Sequence, residues 1–481
     1  MSFQQSIASS LFERYTSTAI GFISSIIIAR LLTPEEIGVF SVSAAVLTLA
    51  HVIREFGVGN YLIQEKTLTK RIVSSVLGIS IILSWSAGIL LFFGSYYVSA
   101  FYGDDRLREV LWVLSANFIF IPFSSAIYPL LRREMKFKKL YKINVSVNLT
   151  YAVVAVVLAY YGFSYMSLAW ASLAGVLVTF FLAQLYRPDI AKVSPTLAGW
   201  QRIIAFGRLN TVANLVAALG VESPDLIIGK KAGFHMVGIY SRAYGMVTML
   251  WSISIAGLIP VYHSELARLN RLGEDLNPVY LKGVNYITAI AWPMYGYVAM
   301  FSEDIIVMLY GYQWKESGLI ASILCISLMV DALFSLNGSA LLALGKIKQH
   351  MVCNVVGNVT KFVLVLVAIS YSLYFVAWSI VLASFVFGVT SFNFVSDNIS
   401  VNWVNLGKVA LGNALLMILS LLPTYLLFVR NQMFENSFYV IAGSGACLMA
   451  SWLLAVYILR HGITIELNKL AQRFRVTIST F

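Results

Sequence analysis

Arg14, Arg54, Arg242 and Lys361 lie in or at the edges of long apolar runs, while Glu222, Pro224, Asp225 and Asp331 interrupt others. Ionisable groups in apolar helices cost several kcal/mol to insert into a bilayer, so each is a functional candidate. The four cations are candidates for holding an anionic cargo, because a guanidinium donates to phosphate in bidentate fashion. The acids are candidates for coupling or gating through protons or sodium, since burial raises a carboxyl pKa and a neighbouring base lowers it. Pro224 removes a helical hydrogen bond and is a candidate bend. On a hairpin centred near Ala232, Glu222 and Arg242 each stand ten residues from the turn, about 15 Å along the axes. Around Ile347, Asp331 and Lys361 stand 16 and 14 residues away. Static ion pairs account for both couples as well as a transport role does.

What must position these groups is a set of membrane helices. The chain has 481 residues, 59% hydrophobic and only 12% charged, about half the charge of a soluble domain. Apolar runs of about 20 residues recur throughout. Fourteen helices are expected, near 9–31, 37–57, 74–98, 108–131, 143–161, 163–186, 201–229, 234–258, 284–302, 316–344, 350–371, 374–396, 405–428 and 437–459. Placing both termini in the cytoplasm puts 24 of the 34 Lys and Arg in inner loops and the tail, as the positive-inside rule requires. The +12 charge is therefore mostly topology, and no nucleic-acid partner is implied. The N-terminus lacks a signal-peptide pattern. Cys325, Cys353 and Cys447 lie inside apolar runs and read as packing residues. The pair Asp104-Asp105 reads as a solvated loop or helix cap, and the sequon at Asn148 falls inside a helix. The tail from Ile463 to Phe474 is amphipathic enough to lie on the inner surface.

A repeat underlies the spans. IIARLLTPEEIGVFS at 27–41 matches IIGKKAGFHMVGIYS at 227–241, offset by 200, and KFKKLYKINVSVNLT at 136–150 matches KIKQHMVCNVVGNVT at 346–360, offset by 210. An even number of helices per repeat makes the copies parallel, related by an axis along the membrane normal. The expected fold is an all-α integral membrane protein with two parallel, pseudo-symmetric six-helix lobes and two further C-terminal helices. The boundaries are 1–200 for the N-terminal lobe and 201–400 for the C-terminal lobe. Helices 13 and 14 take 401–460, and a cytoplasmic tail takes 461–481. Two lobes around a central site suit a transporter that rocks. The first copy lacks counterparts of Glu222, Pro224 and Asp225, so that break belongs to the second copy alone.

The blocks ARLLTPEEIGVFSVSA at 29–44, EFGVGNYLIQEKTLT at 55–69, LLRREMKFKKL at 130–140, DLIIGKKAGFHMVGIYSRAYGM at 225–246 and HSELARLNRL at 263–272 resemble the bacterial polysaccharide transporters, the Wzx-type oligosaccharide flippases. The resemblance covers roughly 10–350 and implies twelve core helices plus two. It further implies translocation of undecaprenyl-diphosphate-linked glycan units from the cytoplasmic to the outer leaflet of the bacterial inner membrane. It carries cavity-lining charges onto Arg14, Arg54, Asp225 and Arg242, whereas Glu222-Ser-Pro departs from the pattern. No cofactor or metal is implied, and the coupling ion, proton or sodium, stays open. The expected partners are the lipid-linked oligosaccharide, bilayer lipid, and a polymerase and glycosyltransferases of the same pathway, with the transporter a monomer.

Two other functions are weighed against this one. A drug/cation antiporter of the same superfamily would favour an acidic, aromatic cavity over several arginines. A membrane enzyme such as a glycan polymerase would need a sizeable outer loop and an acid/base or metal constellation, and neither is found.

Overall fold

The computed structural model of the chain describes residues 3–429, 437–466 and 468. It is helical throughout, with α1 (Phe3–Leu31), α2 (Pro34–Glu55), α3 (Val58–Gln64), α4 (Lys70–Tyr102), α5 (Arg106–Phe120), α6 (Pro122–Ser125), α7 (Ile127–Arg133), α8 (Phe137–Tyr160), α9 (Met166–Leu185) and α10 (Trp200–Ala232). There follow α11 (Phe234–Ser254), α12 (Ile259–Leu272), α13 (Asn277–Met300), α14 (Ser302–Tyr310), α15 (Ser317–Phe334), α16 (Asn337–Ala343), α17 (Ile347–Ala368), α18 (Leu373–Ser396), α19 (Trp403–Thr424) and α20 (Ser437–Ile458). Among the described residues ten helices or continuous segments are long and apolar enough to cross a membrane, and two bent pairs, α5 with α6–α7 and α11 with α12, raise the number to twelve. With α1 and α13 at the two remaining positions, the fourteen expected spans are accounted for. The chain is a multi-pass membrane protein. The amphipathic tail and Arg430 lie almost wholly outside the described residues.

The repeat is visible in the backbone. Lys136 before α8 has φ −83°, ψ 50°, and Lys346 before α17 has φ −83°, ψ 52°. Each follows a residue at positive φ, Met135 at 55° and Gly345 at 72°. Each amide donates to a carbonyl five residues back, Lys136 to Leu131 at 2.9 Å and Lys346 to Leu341 at 2.8 Å. At offset 200 the two copies touch reciprocally. A Cβ on Gly38 would fall 1.8 Å from the Phe234 carbonyl oxygen, and one on Gly238 would fall 1.8 Å from that of Pro34. The Ser41 and Ser241 hydroxyls meet at 3.2 Å. Residue i touching j+200 while j touches i+200 is the pattern of a two-fold axis, and only glycine permits so close a backbone approach.

Two compact units result, Met1–Ser241 and Arg242–Phe481. The first reaches beyond residue 200, where the repeat boundary was expected, because α10 packs along α2 and α4. Packing and repeat thus divide the chain at different places. In the first unit the link before α10 is strapped to α4. The Ser74 hydroxyl donates to the Ser194 carbonyl, the Thr196 amide donates back to the Ser74 carbonyl at 3.2 Å, and Ala191 is buried among Val73, Val76 and Ile79. Asp105 stands at the N-cap position of α5, and the acidic pair is tied further into the fold. Arg106 bonds Asp104 and Glu35, both at 2.7 Å, and Ser99 donates to Asp105 at 3.0 Å. Partial burial pushes the Asp104 carboxyl up, but its hydrogen bonds from Arg106 hold it below the usual range. In the second unit α19 and α20 pack on α13. Cys325 and Cys353 are buried and Cys447 is half-buried, all as free thiols.

Candidate substrate site

The fourth span is bent by 46° between α5 and α6–α7. Pro122 opens α6 and cannot supply an amide donor to the preceding turn. Two hydroxyls close the corner, Ser124 donating to the Ile121 carbonyl at 2.9 Å and Ser125 to that of Pro122 at 2.7 Å. A cavity of about 370 Å³ lies beneath the bend, lined by Arg54, Glu55, Ser80, Ser124, Tyr128 and Arg132, among others. The Arg54 side chain is only 12% exposed and meets the exposed Glu55 carboxylate at 3.3 Å through Nη2. Its buried Nε has no hydrogen-bond partner among the described residues. Two adjacent arginines divide the work here. Arg133 donates to the carbonyls of Leu62, Glu65 and Lys66 and so closes the end of α3, while Arg132 lines the cavity.

Arg14 is half-buried on α1. Its neighbour Glu13 accepts from Asn144, which accepts from the Tyr128 hydroxyl at 3.1 Å, so a polar chain runs from α1 through α8 to the cavity wall. On α10, Glu222 and Asp225 are half-buried and Ser223 and Pro224 buried. α10 runs as one continuous helix from Trp200 to Ala232, with Pro224 inside it. The carbonyl that Pro224 leaves without an amide is that of Gly220, and the Ser223 hydroxyl donates to it at 3.0 Å. Neighbouring hydroxyls are one means by which membrane helices tolerate proline.

The second unit holds Arg242, Lys361 and Asp331. The Arg242 guanidinium lies over the buried rings of Tyr310 and Trp314, at 4.9 and 5.0 Å from their centroids. Lys361 Nζ lies 5.7 Å from the Tyr244 ring centroid. Asp331 lies near Ser384 and within electrostatic reach of Lys361. Both cations thus lie against aromatic rings, and cation–π attraction is stronger when water is excluded. Among the described residues no three His, Cys, Asp or Glu side chains are grouped to hold a metal. Arg54 lies at a helix end as its sequence position implies, and the structure brings Arg132, Tyr128 and Ser80 to the same cavity wall. The paired prolines Pro122 and Pro129 were the available signal for a bend.

Residues 27–319 match the family model described as polysaccharide biosynthesis protein. The chain belongs to this family. It is 22% identical over 353 residues to the lipopolysaccharide biosynthesis protein WzxC of Escherichia coli, covering 70% of this chain and 69% of the relative. It is 22% identical to the teichuronic acid biosynthesis protein TuaB of Bacillus subtilis, covering 68% of each. It is 23% identical to the succinoglycan biosynthesis transport protein ExoT of Rhizobium meliloti, covering 64% of this chain and 62% of the relative. Among solved structures, the lipid II flippase MurJ in an inward closed conformation superposes with a TM-score of 0.77 at 13% identity, over 94% of this chain and 98% of that one. An inward-facing multidrug resistance transporter of the MATE family gives 0.64 at 16% identity, over 82% and 96%. This family member therefore has the fold shared by those transporters.

Proposed function

We propose that the chain is a flippase that carries undecaprenyl-diphosphate-linked oligosaccharide units, of the O-antigen, capsule or exopolysaccharide kind, from the cytoplasmic to the outer leaflet by alternating access. The observation that carries this reading is family membership over residues 27–319. Cations held in apolar helices support it, because an anionic cargo crossing a bilayer needs them. Arg14, Arg54, Arg242 and Lys361 bind the diphosphate and its sugars, while the lipid tail stays in the bilayer. Glu222, Asp225 and Asp331 serve coupling or gating, and Pro224 leaves α10 a weak point for bending. The protein performs no covalent step. It sits in the inner membrane with both termini in the cytoplasm, working as a monomer beside the polymerase and glycosyltransferases of its pathway.

The test is export in a strain lacking the chain. Deletion should abolish surface glycan and leave lipid-linked oligosaccharide in the inner leaflet. Arg54→Ala or Arg242→Ala should restore roughly a tenth of export or less, the loss expected from one charge-assisted contact, with membrane protein levels unchanged. Full export in the deletion strain would overturn the reading.

A further inference from the structure

The cavity under the bent fourth span has a chemistry that narrows its occupant. It contains two guanidinium groups, Arg54 and Arg132, against one carboxylate, Glu55, which already meets Arg54. A confined pair of cations with a single exposed counter-charge favours an anion. The hydroxyls face the opposite requirement. Ser124, Ser125 and Tyr128 each spend their proton on an acceptor of the protein, Ile121, Pro122 and Asn144 respectively. What they have left is lone pairs, so they can accept hydrogen bonds from a ligand but not donate them. An occupant must therefore offer anionic oxygens to the arginines and hydroxyl donors to these three residues. Water answers the second demand but not the first, and a bare phosphate, with only one or two acidic hydroxyls, cannot reach three separate acceptors while facing the arginines.

We propose that this cavity is a subsite for a hydroxylated anion, a sugar joined to a phosphate or diphosphate, with Arg132 a specificity-determining partner of Arg54. The proposal rests on the flippase reading and names the part of the cargo that the first unit grips. The volume of about 370 Å³ lies within the range of small-molecule sites, about 300–1,000 Å³. From Arg132 to Ile121 the cavity wall spans eleven residues, at most about 16 Å of helix and less across the bend, room for a diphosphate and the sugar next to it. The cations are not demanded by the fold. At offset 210, Tyr128 and Arg132 correspond to Gly338 and Leu342, and at offset 200 Arg54 corresponds to Ser254. The second copy builds the same span without any of them.

The test is calorimetric binding to the purified full-length protein in detergent micelles. The probes are farnesyl-diphosphate-linked N-acetylglucosamine, UDP-N-acetylglucosamine and inorganic pyrophosphate. Both sugar diphosphates should bind at least about tenfold tighter than pyrophosphate. Tighter binding of the farnesyl compound than of the UDP compound would assign the site to the lipid-linked form. Equal binding of the two would assign it to the sugar diphosphate they share. Arg132→Gln should weaken the sugar diphosphates roughly ten- to a hundredfold, and Arg132→Lys by less, because the charge stays while the fork is lost. Should Arg132→Gln fail to fold, Tyr128→Phe provides the second variant, removing one of the three acceptors, and should weaken binding by a smaller factor. Pyrophosphate binding as tightly as the sugar diphosphates would overturn the role of the hydroxyls. Unchanged binding in the arginine variant, or in Tyr128→Phe where that variant is the one used, would overturn the subsite. If export also survives Arg132→Gln while chain deletion still abolishes it, the subsite falls and the flippase reading stands.

Discussion

The fourth span of the first unit and its repeat partner in the second are built on one plan and filled in opposite ways. Ser125 donates to the Pro122 carbonyl at 2.7 Å, and its counterpart Ser335 donates to that of Ala332 at 2.9 Å. Both spans pause at that point. Beyond it they diverge. In the second unit Phe334 stands where the first has Ser124, and its ring presses on α18 so closely that a Cβ on Gly388 would lie 2.0 Å away. Asn337, fully buried, accepts from the Tyr280 hydroxyl at 2.6 Å and donates to Ser391 at 2.7 Å. Gly338, the counterpart of Tyr128, leaves its space to the ring of His350. Ser125 keeps its hydroxyl in Ser335, but Ser124 gives way to a ring, Tyr128 to an absent side chain and Arg132 to Leu342. In the second unit these positions serve packing, and in the first they line a cavity.

The largest test of this contrast is Phe334→Ala. Hollowing a packed site costs the transfer free energy of the ring plus that of the void, about 3–5 kcal/mol. The melting temperature of the purified protein should drop accordingly, with sugar-diphosphate binding to the first unit unchanged in whatever remains folded. A loss below about 1 kcal/mol would mean that the second copy is not packed for stability after all. The reverse exchange, Ser124→Phe, should fill the first cavity. Because the space is open, the overpacking cost of about 1–3 kcal/mol should stay near its lower end, while binding of the farnesyl probe weakens about tenfold or more. Retained affinity would place the ligand elsewhere.

The readable part of this contrast follows from periodicity. Fourteen apolar runs predict fourteen spans because a bilayer demands about 20 apolar residues each time. The KxK blocks at 136 and 346 predict a repeat that the backbone reproduces to within a few degrees at Lys136 and Lys346. The candidate site is less readable. Arg132 and Arg133 are adjacent and chemically identical, yet one closes α3 through three carbonyls and the other lines a cavity. That division depends on which way each faces from a bent helix, and a one-residue step turns the side chain by about 100°. Pro224 is a related case. The carbonyl it frees in α10 is taken up by Ser223, the residue beside it. A second case is less local still, since the Ala289 carbonyl freed by Pro293 in α13 accepts from the indole of Trp452 at 2.9 Å, 163 residues away in the chain.

Proline also supplies the smallest test. Pro122 and Pro129 correspond to Ala332 and Ser339, and the second span passes as one segment, Ser317–Ala343, where the first bends by 46°. If Pro122 sets that bend, Pro122→Ala restores an amide that can reach the Phe118 carbonyl one turn back. The regained hydrogen bond is worth about 0.5–1.5 kcal/mol. Against it stands the freer unfolded chain, which costs about 0.4–1 kcal/mol. The two nearly cancel, so the melting temperature should barely move while the geometry changes. Spin labels on α5 and α7 should report a straighter span, and the narrowed cavity should weaken sugar-diphosphate binding by roughly threefold, about 0.6 kcal/mol. An unchanged label distance would assign the bend to packing against α3 and α4, leaving the cavity as a product of the whole unit and not of one residue.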